Sequence, residues 1–227
     1  MAQHVLITGA TGGMGRAIAL AFAQAHAATP HGGLRLSLAA SRPGESLDQL
    51  VADLQVLGAQ ATGLSADLTD PAGCRRLVED AQAWGGDLTT LVSNAGASGP
   101  DKLAEMSVER WDRSFHLNTR ATFVLAQAAH AGLARTRGSI VAIASMSGLH
   151  PHPGYGAYSA AKAALVMLCR QIAQEWAADG IRANAVCPGM IRTPLTEPVY
   201  QDAGTKARRE ALVPAARIGT RPITSAW

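Results

Sequence analysis

Tyr158 and Lys162 are the residues of this chain best suited to proton transfer, and they stand four positions apart in an alanine-rich segment. If that segment is helical, the two side chains project from the same face, one turn apart. An ammonium group near a phenol favours the phenolate, so we expect the pKa of Tyr158 to fall below its ordinary value of about 10. Tyr158 could then donate and accept a proton near neutral pH.

Ser145 is placed to join this pair, because it follows an apolar run that predicts a strand over Ser139 to Ala144. A turn rich in Gly, Pro and His separates it from the helix predicted to begin near Tyr158. Tyr155 has a serine four residues on, not a lysine, which favours Tyr158 as the acid. A Tyr-Lys pair alone also fits an exposed helix, but Ser145 across the strand-to-helix break favours a site.

The N-terminus predicts a strand over Gln3 to Ile7, a glycine-rich turn over Thr8 to Gly15, and a helix to about Ala28. This order places a pyrophosphate on helix N-terminal amides, and glycines let the backbone approach the phosphates. The glycine spacing fits two patterns of such turns: Gly9, Gly13 and Gly15, or Gly9, Gly12 and Gly15. The turn therefore predicts a dinucleotide site, without choosing between the patterns.

The second predicted strand, Leu34 to Ala39, ends at Ser41-Arg42. In dinucleotide folds an acidic residue near this point bonds the ribose 2′-hydroxyl, whereas an arginine accommodates a 2′-phosphate. No Asp or Glu lies between Gly33 and Arg42, so NADP(H) is favoured over NAD(H). The alternative is that Arg42 is a solvated residue in a turn.

Strands alternate with helices along the rest of the chain, which predicts an α/β fold with a Rossmann-type, doubly wound parallel sheet and helices on both faces. Further strands are expected over 59–65, 88–92 and 182–187, and helices over 46–57, 71–84, 107–133 and 158–178. With 227 residues and 48% hydrophobic content, residues 1–227 are expected to form a single domain around one core. The polar, turn-rich segment 194–214 is the expected substrate loop.

Composition excludes several other classes of protein. The net charge is +3 and basic residues are spread out, with only the doublets Arg75-Arg76 and Arg208-Arg209, which argues against nucleic acid and leaves room for an anionic ligand. The three cysteines have no CxxC spacing and indicate reduced thiols in the cytoplasm, with no metal site. No leader segment and no apolar run long enough for a membrane span is predicted.

From Gln3 to about Thr220 the chain resembles the short-chain dehydrogenase/reductase (SDR) family. Its TGATGGMG turn matches the family's cofactor loop, Asn94-Ala95-Gly96 the NAG motif, and the segment from Pro188 to Thr193 the PGxIxT motif. All four members of the family's catalytic tetrad find a match, in Asn118, Ser145, Tyr158 and Lys162.

The resemblance implies hydride transfer between a nicotinamide and a carbonyl or alcohol carbon. Tyr158 would protonate the forming alkoxide, Ser145 would hydrogen-bond the carbonyl oxygen, and Lys162 would bind the ribose and lower the pKa of Tyr158. Asn118 would hold a water in a proton relay to Lys162. The implied cofactor contacts are Thr8, Gly9, Gly13, Met14, Gly15, Ser41, Arg42, Asp67, Leu68, Asn94, Ala95, Gly96, Tyr158, Lys162, Pro188, Gly189, Ile191 and Thr193.

Family members continue past the segment matching Arg217 to Gly219 with a helix and a seventh strand, whereas here only RPITSAW follows Thr220. We therefore expect a sheet that lacks both elements and leaves the strand at 182–187 as an open, aggregation-prone edge. One usual subunit interface would be missing. The long helices 107–133 and 158–178 would still pair, so a C₂ dimer is expected.

Two other functions compete with a carbonyl reductase or alcohol dehydrogenase acting on a small molecule. A non-catalytic dinucleotide-binding protein is one, although a regulatory protein has no need of Tyr158 and Lys162 together. An epimerase or dehydratase on nucleotide sugars is the other, and it would need a substrate domain that this chain lacks. The identity of the substrate is not predicted, because it depends on the loops at 150–155 and 194–211.

Overall fold

Six strands form the core of the computed structural model, which describes residues 2–28, 32–99, 101–193 and 196–220. The strands are β1 (Gln3–Thr8), β2 (Leu34–Ala40), β3 (Gln60–Ser65), β4 (Thr90–Ser93), β5 (Ser139–Ile143) and β6 (Arg182–Val186). All pair in parallel, in the order β3-β2-β1-β4-β5-β6. The strand order reverses between β1 and β4, and ligands of such sheets bind at the carboxyl side of this point.

Eight helices surround the sheet in the described part of the chain. They are α1 (Gly13–Ala28), α2 (Glu45–Val56), α3 (Pro71–Gly85), α4 (Val108–Phe115), α5 (Ala121–Thr136), α6 (Ala157–Glu175), α7 (Glu197–Tyr200) and α8 (Ala203–Ala211). Apolar side chains of α1 and α2 pack on one face of the sheet, and those of α3 and α5 pack on the other. The predicted doubly wound α/β class is confirmed.

Local sequence explains where these elements start. The central strands are near-continuous apolar runs, as expected for strands buried on both faces, and residues 4 to 8 of β1 are all buried. At α3 the Asp70 side chain accepts from the amides of Ala72 and Gly73, both at 3.0 Å, while Pro71 opens the first turn. This cap fixes α3 directly after the loop that carries Asp67.

The helix predicted over 107–133 is present as an unbroken helical run from Val108 to Thr136, but it is not a regular α-helix throughout. Ser107 caps α4, but residues His116–Arg120 form a π-helical turn before α5 continues to Thr136. A π turn widens the helix by one residue and is frequent at functional sites. Asn118 lies in this turn and is buried, so its placement differs from that of an ordinary mid-helix residue.

The segment after β6, expected to be a polar, turn-rich loop over 194–214, holds two short helices, α7 and α8. Within the described residues β6 pairs only with β5. Pro194 and the tail RPITSAW lie outside the described residues. The single-domain organisation of the chain stays a prediction.

No helix in the described part of the chain is long and apolar enough to cross a bilayer. No cluster of side chains that could bind a metal ion occurs there either.

Candidate active site

The turn between β1 and α1 is held by contacts that leave no room for side chains. Gly9 has a φ of +62°, which favours glycine, and a Cβ there would lie 2.9 Å from Ala95 Cα. A Cβ on Gly15 would overlap the Gly9 carbonyl oxygen and lie 2.9 Å from Ala10 Cα. Both positions therefore require glycine, and both are shared by the two spacing patterns of the sequence, so the choice between them stays open.

Thr8 and Asn94 join this turn to the end of β4. The Asn94 side-chain amide donates to the carbonyls of Thr8 and Gly9 at 3.0 and 3.1 Å. The backbone amides of Asn94 and Ala95 donate to Thr8 Oγ1 at 3.0 and 3.1 Å. The Asn94 Oδ1 atom is buried and has no hydrogen-bond partner. These bonds fix the two loops at the topological switch point as one unit.

A cavity of about 450 Å³ opens over this unit. It brings together many of the residues expected to bind a cofactor: Gly9, Gly13, Met14, Ser41, Asp67, Leu68, Asn94, Ala95, Gly96 and Thr193. Thr8 is buried beneath it, and Gly15 lies in the first turn of α1. The cavity therefore runs from the N-terminus of α1 to the segment after β6.

Asp67 lines this cavity, Arg42 directly follows Ser41 on its wall, and both Asp67 and Arg42 are exposed. The Thr69 hydroxyl and amide donate to Asp67 Oδ1 at 2.7 and 2.8 Å, and they hold the pKa of that carboxyl below its usual range. Arg42 has no ion-pair partner among the described residues. The end of β2 thus presents an arginine whose charge is available to a ligand.

A second cavity of about 620 Å³ begins at Ser41 and Arg42 and reaches Asn118 and Tyr158. Sequence reasoning did not single out the α4 residues on its wall, Arg110 and Arg113. Arg110 forms an ion pair with Asp101 at 2.8 Å. No motif marked either arginine, because their positions follow from the path of α4 over the cavity.

Tyr158 lines this second cavity, and Ser145 lies beside it. Ser145 follows β5 and caps a short turn by accepting from the Ser147 amide at 3.1 Å, and its hydroxyl lies near the Tyr158 phenol. Burial raises the pKa of Tyr158 above 10, while the nearby Ser145 hydroxyl acts in the opposite direction. The expected lowering of the Tyr158 pKa is therefore wrong for this structure, because desolvation outweighs the other effects.

Lys162 is 3% exposed, and its Nζ donates to the Ile143 carbonyl at 2.8 Å. Burial lowers the pKa of the lysine from 10.5 to about 8, so it is mostly protonated at pH 7. Its Nζ is 5.8 Å from the centre of the Tyr158 ring. This distance and the bond to Ile143 explain why Lys162 does not control the pKa of Tyr158 here.

Asn118 and Lys162 approach each other across Gly96. A Cβ on Gly96 would lie 2.7 Å from Asn118 Oδ1 and 3.2 Å from Lys162 Nζ. The Asn118 amide donates to the carbonyls of Ala97 and Ser114, both at 3.0 Å, and its oxygen accepts from the Ala97 amide at 3.3 Å. The π turn thus holds the amide group against the end of β4 and near the lysine.

Pro188, Gly189, Ile191 and Thr193 follow β6. The Pro188 carbonyl accepts from the Met146 amide at 3.0 Å, which joins this segment to the Ser145 turn. Ile191 pairs with Gly219, and Thr193 reaches the first cavity. Pro188, Gly189 and Ile191, with Ser145 and Lys162, line neither of the two cavities in the described residues.

The residues present fit a dinucleotide. A glycine-only turn meets a helix N-terminus beneath a 450 Å³ cavity, and the buried Asn94 Oδ1 leaves an acceptor without a partner. The adjoining 620 Å³ cavity shares Ser41, Asp67, Thr69 and Leu117 with the first cavity. It adds Arg42 and Tyr158, which match the two ends of such a ligand.

Comparison with known proteins agrees with this arrangement. The family model of the short chain dehydrogenases matches residues 3–204. The chain is 40% identical over 184 residues to "Inactive 2-(S)-hydroxypropyl-CoM dehydrogenase 2" of Xanthobacter autotrophicus, covering 79% of each chain. It is 35% identical over 215 residues to the 3-oxoacyl-[acyl-carrier-protein] reductase FabG of Escherichia coli, covering 94% of this chain and 83% of that protein.

Solved structures show the same fold. The active-site complex of RhlG with NADP from Pseudomonas aeruginosa superposes with a TM-score of 0.86 at 27% identity, over 96% of this chain and 84% of that one. The chain belongs to the short chain dehydrogenase family, NAD(P)-binding oxidoreductases that act on CH–OH groups of small molecules and commonly oligomerise.

Proposed function

We propose that the protein is an NADP(H)-dependent oxidoreductase that interconverts a ketone or aldehyde and an alcohol, with Ser145, Tyr158, Lys162 and Asn118 as its catalytic groups. One observation carries the proposal: the Tyr158 phenol lines the second cavity with the Ser145 hydroxyl beside it, and the buried Lys162 ammonium lies 5.8 Å from the centre of the Tyr158 ring. A phenol beside a serine hydroxyl and a buried cation is suited to proton transfer at a substrate oxygen.

Tyr158 is the proton donor in the reductive direction. Its raised pKa keeps the phenol protonated at neutral pH, so it can protonate the oxygen as negative charge develops there. Ser145 Oγ accepts from the Ser147 amide, so its one hydrogen can turn from the Tyr158 phenol and donate to the same substrate oxygen when substrate binds. When bound, the nicotinamide cofactor supplies or accepts the hydride.

Lys162 and Asn118 supply the proton path behind the phenol. The ammonium has three donors, and one is used on the Ile143 carbonyl, so two remain for ribose hydroxyls or water. Asn118 Oδ1 lies on the same side of Gly96 as the ammonium and is an acceptor for a relaying water. The remaining proposed contacts with the cofactor are those named from the sequence, with Arg42 at the 2′-phosphate.

The variant Tyr158→Phe tests the proposal, because it removes the hydroxyl and keeps the ring. We expect turnover of a ketone panel with NADPH to fall on the order of 10²–10⁴-fold. The dissociation constant for NADPH, measured by fluorescence titration, should stay within about twofold of wild type and serves as the control. Near wild-type turnover in the variant would show that another group is the acid.

The same panel also tests the non-catalytic alternative. One relative in the comparison is named an inactive dehydrogenase. In this chain Ser145 and Lys162 lie beside Tyr158, which lines the second cavity. A wild-type protein that binds NADPH but oxidises it with no ketone of the panel would favour the binding-protein function.

Assembly as a C₂ dimer through the helices at 107–133 and 158–178 is also part of the proposal. Phe123 on α5 and Met167 on α6 are exposed apolar residues on these elements, 43% and 58% accessible in the isolated chain. Light scattering on the purified chain should give twice the monomer mass, and a stable tetramer would contradict the proposal.

A cytoplasmic location is also part of the proposal. It agrees with Cys74, Cys169 and Cys187 being free thiols.

A further inference from the structure

Arg209 on α8 lies beside two tyrosines and, among the described residues, forms no ion pair with a carboxylate. Its guanidinium lies near the hydroxyls of Tyr155 and Tyr200 and 5.6 Å from the centre of the Tyr200 ring. Tyr200 is 5% exposed, so α7 and α8 are fixed against each other around this contact. Two phenol groups orient the guanidinium without neutralising its charge.

The acidic residues of the same region have other partners. Glu197 binds Arg192 through two hydrogen bonds of 2.5 and 2.7 Å, and Glu210 binds Lys206 at 3.2 Å. Asp202 caps α8 by accepting from the Thr205 amide at 2.7 Å. Of the described residues, none forms an ion pair with Arg209 within 4.0 Å. A half-buried guanidinium with five donors and two phenol acceptors therefore keeps capacity for an anion.

Three aromatic rings connect this arginine to the proposed proton donor. His152 stacks on Tyr155 with ring centres 3.9 Å apart, and the Tyr155 ring is 6.2 Å from that of Tyr158. Burial, and after it the charge of Arg209, lowers the pKa of His152, so this imidazole is neutral at pH 7. These rings, with Tyr200, form an aromatic cluster of His152, Tyr155, Tyr158 and Tyr200. Arg209 is the formal charge at its Tyr200 end, and the Lys162 ammonium is the formal charge at its Tyr158 end.

We propose that Arg209 binds an oxyanion group of the substrate, a carboxylate, sulfonate or phosphate, while the carbonyl of the same molecule lies at Tyr158. The proposal rests on the oxidoreductase function proposed above and names its substrate class, which is an anionic ketone or alcohol. The Tyr155 ring sets the spacing between the two groups. Arg208, the neighbouring residue, is exposed and donates to Thr205 Oγ1 at 2.8 Å, so it serves as a matched control.

Turnover of paired substrates tests the proposal. The keto acids 3-oxobutanoate, 4-oxopentanoate and 5-oxohexanoate are compared with their ethyl esters, which carry the same ketone without the charge. We expect wild type to favour at least one acid over its ester. In Arg209→Gln, kcat/KM for that acid should fall roughly ten- to hundredfold, mostly through KM, with the ester changed less than about threefold. Arg209→Lys should be intermediate, and Arg208→Gln should behave as wild type.

Equal losses on acid and ester in Arg209→Gln would overturn the proposal, because they would mean that Arg209 only ties α8 to the Tyr155 loop. A wild-type preference for every ester would also overturn it. If no ketone is turned over, the proposed oxidoreductase function fails by itself. Calorimetric titration of 5-oxohexanoate into wild type and Arg209→Gln then decides the anion site: binding that needs Arg209 supports it, and binding equal in both, or absent from both, refutes it.

Discussion

The cofactor side and the substrate side of the site are built in different ways. On the cofactor side, backbone atoms contact each other directly, as where a Cβ on Gly15 would overlap the Gly9 carbonyl. On the substrate side, a Cβ added at Gly99 or Gly154 would meet no atom within 4 Å. The chemistry that we propose there depends on long side chains, among them Arg209. Where backbone atoms pack directly on each other, few residue types are tolerated. Where side chains form the site, substituting one of them can change which ligand is bound.

The largest effect is expected from a substitution in the backbone-packed turn on the cofactor side. Gly15→Ala places a methyl group against the Gly9 carbonyl and Ala10 Cα, which are backbone atoms that cannot move aside. We expect either failure to fold or a loss of about 3 kcal/mol or more in the free energy of unfolding, together with loss of NADPH binding. Chemical denaturation and fluorescence titration measure the two effects.

Gly99→Ala is the matched control on the substrate side, because open space surrounds that position. Its free energy of unfolding should stay within about 0.5 kcal/mol of wild type. Similar losses in Gly15→Ala and Gly99→Ala would contradict the contrast between the two regions.

The second prediction concerns Lys162, which lies where the two regions meet. Its burial lowers the folded-state pKa to about 8, below the ordinary 10.5, so the unfolded chain binds more protons between these pH values. The contribution of Lys162 to the free energy of unfolding therefore rises as the pH increases from about 8 to 10.5. The free energy of unfolding of wild type relative to Lys162→Met should increase by about 2–3 kcal/mol from pH 7 to pH 10.

Taking the difference between the two proteins cancels other titrations, such as those of Cys74 and Cys169, whose pKa values burial raises to about 11. Lys162→Met should also abolish turnover at every pH, because it removes the ammonium. A difference that does not change with pH would mean that water reaches the lysine and that its pKa is ordinary.

The sequence predicted the structure best at positions where the backbone geometry permits only one residue type, such as glycine. The alternation of strands and helices and the glycine turn follow from apolar runs and glycine spacing, and the loop carrying Asn94 follows from the family motif. The π turn around Asn118 was not predicted, because one extra residue in a helical turn leaves the apolar spacing almost unchanged. The pKa of Tyr158 was also mispredicted, since the spacing of Lys162 gives proximity but not burial.

The substrate side was predicted least well. The doublet Arg208-Arg209 was visible in the sequence, but only the packing of α7 and α8 separates the exposed arginine from the one held by Tyr155 and Tyr200. These partners are far apart in the chain and carry no motif. Residues whose role depends on long-range contacts of flexible side chains cannot be recognised from spacing alone.

The smallest expected effect tests the one part of the cofactor side that is built from a side chain, at Arg42. A 2′-phosphate would lose a charge-assisted pair in Arg42→Asp and meet a carboxylate instead. The ratio of kcat/KM for NADPH to that for NADH should fall by about tenfold or more, equivalent to about 1.4 kcal/mol. Steady-state rates with both cofactors on one ketone measure it.

Arg113→Asp is the control for Arg42→Asp, because Arg113 is also exposed and lines the same cavity on α4. If only the overall positive charge around the cavity matters, both variants should change the ratio of kcat/KM for NADPH to that for NADH equally. That result would refute a specific role of Arg42. An unchanged ratio in Arg42→Asp would mean that another group recognises the 2′ position. A change confined to Arg42→Asp would show that the cofactor side, too, sets ligand choice through an exposed side chain, while its backbone sets only where the dinucleotide lies.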